Sequence, residues 1–168
     1  NTSHGQKIEN YALQIFDAMK KFHGLGTRER LLLQIASILH DCGKFISLRD
    51  SSACAYNIIM ATEIIGLSHA EREIVAEVVR CNLDAFRYGE GSIRAGKLTA
   101  MLRLANAMDR SHHGRLDDGK LQVKGNKLII STSYAGNLAL ETMAVEDKAD
   151  FFEEMFGIRP EIRQKRRV

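Results

Sequence analysis

Several features are missing from this chain, and each absence narrows what it does. No run of eighteen apolar residues occurs, which excludes a membrane-spanning helix. The amino end, NTSHGQKIEN, has neither the charged-then-apolar layout nor the cleavage site of a secretion signal. There are three cysteines, Cys42, Cys54 and Cys81, an odd count with no CxxC pair, so they read as reduced thiols of a cytoplasmic protein. No glycine-rich phosphate loop of the P-loop type is found, and no internal repeat or low-complexity linker. The net charge is a mild +3, with basic residues gathered in the tail IRPEIRQKRRV, which reads as a solvated end. Nucleic-acid binding by that tail lacks interleaved aromatics and any fold signal.

What is present suits one globular domain. A chain of 168 residues, 45% of them hydrophobic, buries on the order of 70% of its unfolded surface. Ile8, Tyr11, Ala12, Ile15, Met19 and Phe22 recur at helical spacing, and His4 lies one turn before Ile8 on the same inward face. Thr27 is placed to cap a second helix carrying Leu31, Leu32, Ile35, Ala36 and Leu39 and ending at Gly43, with His40 and Asp41 in its last turn. A third helix is expected over 52–65, closed by Gly66, and Ser68 to Glu71 form a capping box before a fourth. DAFRYGEGS reads as a loop, and a further helix runs over 92–110. Two alternating runs around Gly125 and Asn126 predict a hairpin. A last helix is expected over 137–156, then a third strand in IRPEIRQ. The expected fold is mainly α: a helical bundle over 1–114 with a small appendage over 115–168 that carries a three-stranded antiparallel sheet. The absence of an initial methionine suggests a domain cut from a longer protein.

The chemistry centres on His40 and Asp41. Neighbours on a regular helix diverge by about 100°, so both can ligate one ion only where the helix is ending. HDCG supplies such an ending. An imidazole and a carboxylate suit a divalent cation of intermediate hardness, which can turn water into a nucleophile against phosphorus. The bland alternative is that His40 and Asp41 hydrogen-bond to each other and to backbone, as buried polar pairs do.

Taken in order, His4, LLLQIASILHDCGKFISLRD, LSHAEREIVAEVVRCN, LTAMLRLANAMDRSHH and KADFFEEMFG resemble the carboxy-terminal HD-type domain of the Ppx/GppA family of exopolyphosphatases and guanosine pentaphosphate phosphohydrolases. The resemblance implies an HD-like bundle. It implies metal ligands at His4, His40, Asp41 and a later aspartate whose place is taken here by Asn106, a neutral and poorer ligand. Ser51, Ser52 and Cys54 stand where relatives carry histidines, and Cys81 and Asn82 where they often carry a tyrosine-histidine pair. The site therefore reads as degenerate, holding one divalent ion (Mg, Mn or Zn) weakly or none.

Arg103, Asn106 and Arg110 fall at steps of three and four on one helix, and Lys44 follows the HD pair, which suggests an anion-binding cleft. For Arg103 a solvated face competes with this, for Lys44 the solvated reading leads, and for Arg110 the competitor is a pairing with Asp109 or Asp117. His112 and His113 read as loop residues, and His23 and His69 as residues at helix ends. The resemblance implies that hydrolysis belongs to an amino-terminal half of the parent chain. This domain would then bind polyphosphate or a phosphorylated nucleotide, or build a homodimer. The rival is a metal-dependent phosphohydrolase of nucleotides or phosphodiesters using His4, His40 and Asp41.

Overall fold

Helix α1 (His4–Ala18) forms because its apolar residues repeat along one stripe, and Ile8, Tyr11, Ala12, Ile15 and Phe16 of that stripe are buried. The chain is seen in a computed structural model that describes residues 4–41, 51–83 and 92–165. Cys42, Lys44, Gly43, most of the expected loop after α5, and Arg166 and Arg167 lie outside them. At Met19 the helix breaks, and the short α2 (Lys20–His23) turns by enough to bury His23 while Phe22 is left 45% exposed. The expected inward Phe22 is thus replaced by a histidine whose polar atoms are all satisfied. Leu25 N donates to its Nδ1 at 2.9 Å, so its Nε2 carries the proton and donates to Phe16 O at 2.9 Å.

Helix α3 (Thr27–Leu39) starts one residue earlier than a Thr27 cap would have it. Gly26 is the cap residue, and its N–H donates to the Glu29 carboxylate at 2.9 Å. The helix ends at Leu39, with His40 as its cap and Asp41 in the turn beyond, so neither sits in the last turn as the sequence suggested. His40 Nδ1 donates to Ser37 O at 2.5 Å, satisfying one of the carbonyls that a helix end leaves free.

Helix α4 (Ser51–Ala61) stops four residues before the expected end, because Thr62 Oγ1 takes Ile58 O at 2.6 Å and tightens the final turn. The capping box before α5 (His69–Leu83) is formed as expected: Glu71 N donates to Ser68 Oγ at 3.1 Å and Ser68 N to Glu71 Oε1 at 3.0 Å. Arg28 grips the same carboxylate bidentately at 2.9 and 2.8 Å, joining α3 to α5. The Arg28 hydrogen bond, then that of Ser68, hold the Glu71 carboxyl at about 2, well below the usual range.

Helix α6 (Ile93–Met108), capped by Ser92 Oγ on Ala95 N, is the central rod. Ala95, Gly96, Ala100, Ala105 and Ala107 are buried along with Leu98, Met101, Leu102, Leu104 and Met108, so small residues admit close neighbours while large ones fill between them. It packs against α1, α3, α5 and α7 (Ala139–Phe156). Full burial of each large side chain contributes about 1.5–3 kcal/mol.

Strands β1 (Lys120–Lys124) and β2 (Lys127–Thr132) make the expected hairpin around Gly125, whose φ of 62° suits a tight primed turn. The third strand, β3 (Arg159–Gln164), is where expected, but it pairs with β2 in parallel, Leu128 opposite Pro160 and Ile130 opposite Ile162. The sheet is therefore mixed, in the order β1-β2-β3. The reason is the connection: all of α7 lies between β2 and β3, and a helical crossover returns the chain in the same direction, where a hairpin would reverse it. Pro160 is tolerated because β3 is an edge strand.

Candidate functional site

The end of α6, the start of α1 and the end of α3 meet at one place, and most of the expected site residues lie there. His4 Nε2 is 3.3 Å from Asn106 Oδ1, and the His4 and His40 rings are 6.0 Å apart at 65°. His40 is 3% exposed, and its Nε2 lies 3.2 Å from Asp41 Oδ2 without a hydrogen bond. These four residues thus form one group, while Lys44 lies outside the described residues.

The central carboxylate here is Asp109, one helical turn beyond Asn106. It is fully buried, and its Oδ2 accepts from His4 Nδ1 at 2.6 Å while Oδ1 accepts from Gly114 N at 2.9 Å. Nδ1 carries the proton that meets Asp109, and Nε2 is turned to the Asn106 oxygen, which in the neutral form of the ring leaves the lone pair on that side. His40 repeats the arrangement, its Nδ1 proton on Ser37 O and its Nε2 lone pair turned to Asp41. Each imidazole is thus oriented through one nitrogen and presents the other to an oxygen, as ligating histidines are. As they stand, however, no three His, Cys, Asp or Glu side chains among the described residues gather at metal-ligand spacing.

The loop after α6 completes the wall. Gly114 has a φ of 61°, and any side chain there would collide with Lys7 and Asp117. Tyr11 donates to Asp117 at 2.5 Å; burial first, and then that carboxylate, push its phenol far above the usual range, so it remains a donor. Asp117, paired also with Lys7, is therefore no partner for Arg110, and Asp109 is taken by His4. His112 lies flat on His4, ring centroids 3.8 Å apart and 3° from parallel. Burial, then His4, hold its imidazole below the ordinary histidine value.

These residues border a cavity of about 350 Å³ lined by His4, Asp41, Asn106 and His112 together with Arg103, Arg110, Asp147 and Lys148. Arg103 is held rigidly: its Nε and Nη2 donate to Cys81 O at 2.9 and 2.5 Å, and its guanidinium lies 4.9 Å from the centre of the Phe151 ring. Burial pulls its pKa below the usual arginine value. Arg110 is exposed, and among the described residues no carboxylate pairs with its guanidinium. Lys148 Nζ is 3.3 Å from Asp147. Sequence reasoning missed Asp109, His112 and Lys148. Only Asp109 carried a signal, its place one turn past Asn106 on the same helix.

Residues 1–146 fit the family model described as Ppx/GppA phosphatase, domain III. Among curated proteins nothing matches.

Proposed function

Because the chain belongs to the Ppx/GppA phosphatase family, matching its domain III, we propose that it is an accessory domain that binds phosphate groups for an exopolyphosphatase or guanosine pentaphosphate phosphohydrolase. The observation that carries the reading is the cavity beside His4, where Arg103, Arg110 and Lys148 outnumber Asp41 and Asp147. Guanidinium forks suit phosphate oxygens, and a bonded charge pair of this kind contributes about 1.5–3 kcal/mol. The ligand is a phosphoanhydride chain, as polyphosphate or as a phosphorylated nucleotide. The amino-terminal part of a longer parent chain performs the hydrolysis, and no residue here is assigned a catalytic role.

A divalent ion fits this donor set only loosely. His4 Nε2, His40 Nε2, Asp41 and the Asn106 oxygen would hold it, and when bound it would supply positive charge to a phosphate in the cleft. One carboxylate gives the set a charge of only −1, which favours weak binding. We place the protein in the cytoplasm on its free Cys54 and Cys81 thiols. Among the described residues no helix is long and apolar enough to cross a membrane.

A role in assembly is compatible with phosphate binding. It is favoured by an apolar groove between α3 and α4, lined by Ile35, Ile38, Leu39, Ile58, Ile59 and Ile64, with Ile38 58% exposed.

Isothermal titration with inorganic tripolyphosphate tests the main reading. Binding that weakens about tenfold to a hundredfold in Arg110→Ala supports it. Nucleotide turnover stimulated by metal and abolished in His40→Ala and Asp41→Ala would replace it with the phosphohydrolase alternative.

A further inference from the structure

Among the described residues, His112 is the one non-glycine position with a positive φ, at 60°. A left-handed backbone is unfavourable for any residue with a Cβ, although histidine tolerates it better than most. A glycine would make the same turn without strain, as Gly114 does two residues later at 61°. The turn itself is secured by other groups: His112 N donates to Asp109 O at 2.9 Å, and Gly114 N to the Asp109 carboxylate. The imidazole is exposed, and among the described residues neither ring nitrogen has a hydrogen-bond partner. What the strained backbone does achieve is placement. The ring is laid parallel on His4 and lines the same cavity as Arg110 and Lys148. Strain held at the rim of a cleft, where the fold has no need of the side chain, marks a position kept for binding.

We propose that His112 is a ligand-contacting residue of this cleft, its imidazole hydrogen-bonding a terminal phosphate oxygen of a phosphoanhydride chain whose charge is met by Arg110 and Lys148. The inference rests on the phosphate-binding reading given above. Stacking on His4 fixes the plane of the ring, so the contact costs little rotamer freedom on binding. A terminal phosphate, with more oxygens free than an internal one, offers the most acceptors to a donor at the rim.

The test is calorimetric titration with inorganic tripolyphosphate, alongside thermal unfolding, for the unaltered protein, His112→Gly, His112→Asn and Arg110→Ala. His112→Gly is expected to weaken binding about fivefold while Tm is unchanged or rises by about 2–4 °C, because the strain is relieved. His112→Asn, which tolerates the left-handed backbone and keeps a donor, is expected to recover part of the affinity. If His112→Gly binds within twofold of the unaltered protein, whatever its Tm, His112 makes no ligand contact and the proposal is overturned, with the cleft reading left standing. If the unaltered protein does not bind tripolyphosphate, or Arg110→Ala binds equally well, the cleft reading itself fails and this proposal goes with it.

Discussion

Replacing Asp109 separates what its carboxylate does for the fold from what it does for the site. The side chain is fully buried and accepts from two donors, His4 Nδ1 at 2.6 Å and Gly114 N at 2.9 Å. Asp109→Ala removes the acceptor of both. Loss of one charge-assisted and one backbone hydrogen bond costs about 2–4 kcal/mol. For a domain of this size that lowers Tm by roughly 5–15 °C. Asp109→Asn behaves differently. Its carbonyl oxygen can still accept from Gly114 N, and its amide N–H then faces His4 Nδ1. The neutral ring must shift its proton to Nε2, where Asn106 Oδ1 waits 3.3 Å away to accept it. Every donor finds an acceptor, so the stability loss stays below about 1 kcal/mol, yet the Nε2 lone pair that faces the cleft is gone. Urea unfolding measures the two costs, and nitrogen-15 NMR of the imidazoles, at a pH where the ring is neutral, reads the tautomer. The reasoning is refuted if Asp109→Ala unfolds at the same urea concentration as the unaltered protein, or if His4 keeps its proton on Nδ1 in Asp109→Asn.

Other outcomes follow from individual contacts. His23 is buried, and burial above all lowers its pKa, so the native state refuses a proton that the unfolded chain accepts near 6.5. Its contribution is complete above about pH 6.5 and declines as the pH falls below that value; urea titrations from pH 7.5 to 5.5 should show the decline, and His23→Gln should lessen it. Gly114→Ala forces a Cβ onto a left-handed backbone and into Lys7 and Asp117, and is expected to cost about 1–3 kcal/mol, read as a lower urea midpoint. Asn106→Asp puts a second carboxylate beside His4 Nε2; elemental analysis of the purified variant should find more bound divalent metal than in the unaltered protein, and equal content would remove Asn106 as the weak point of the set.

Local pattern carried much of this structure. The stripe of α1, the Ser68–Glu71 cap and the hairpin at Gly125 follow from spacings of two to four residues, which hydrogen bonding and side-chain direction make legible in the chain itself. The direction of β3 was misjudged, although the length of α7 before it already argued for a parallel return. The HD pair was visible as residue types at a helix end, and His4 as a partner on an inward face. His112 lies in a loop, as its sequence context indicates, but neither its positive φ nor its stacking on His4 leaves a trace in composition.

The sequence by itself determined which segments are helix or strand, which faces are apolar, and that a histidine-aspartate pair ends α3. Only the tertiary structure decided that His4 meets Asp109, across 105 residues, that His112 lies on His4, and that Lys148 lines the same cleft. Those pairings depend on the angles at which α1, α6 and α7 cross. Crossing angles are set by how the whole core packs, and no periodicity within one helix encodes them.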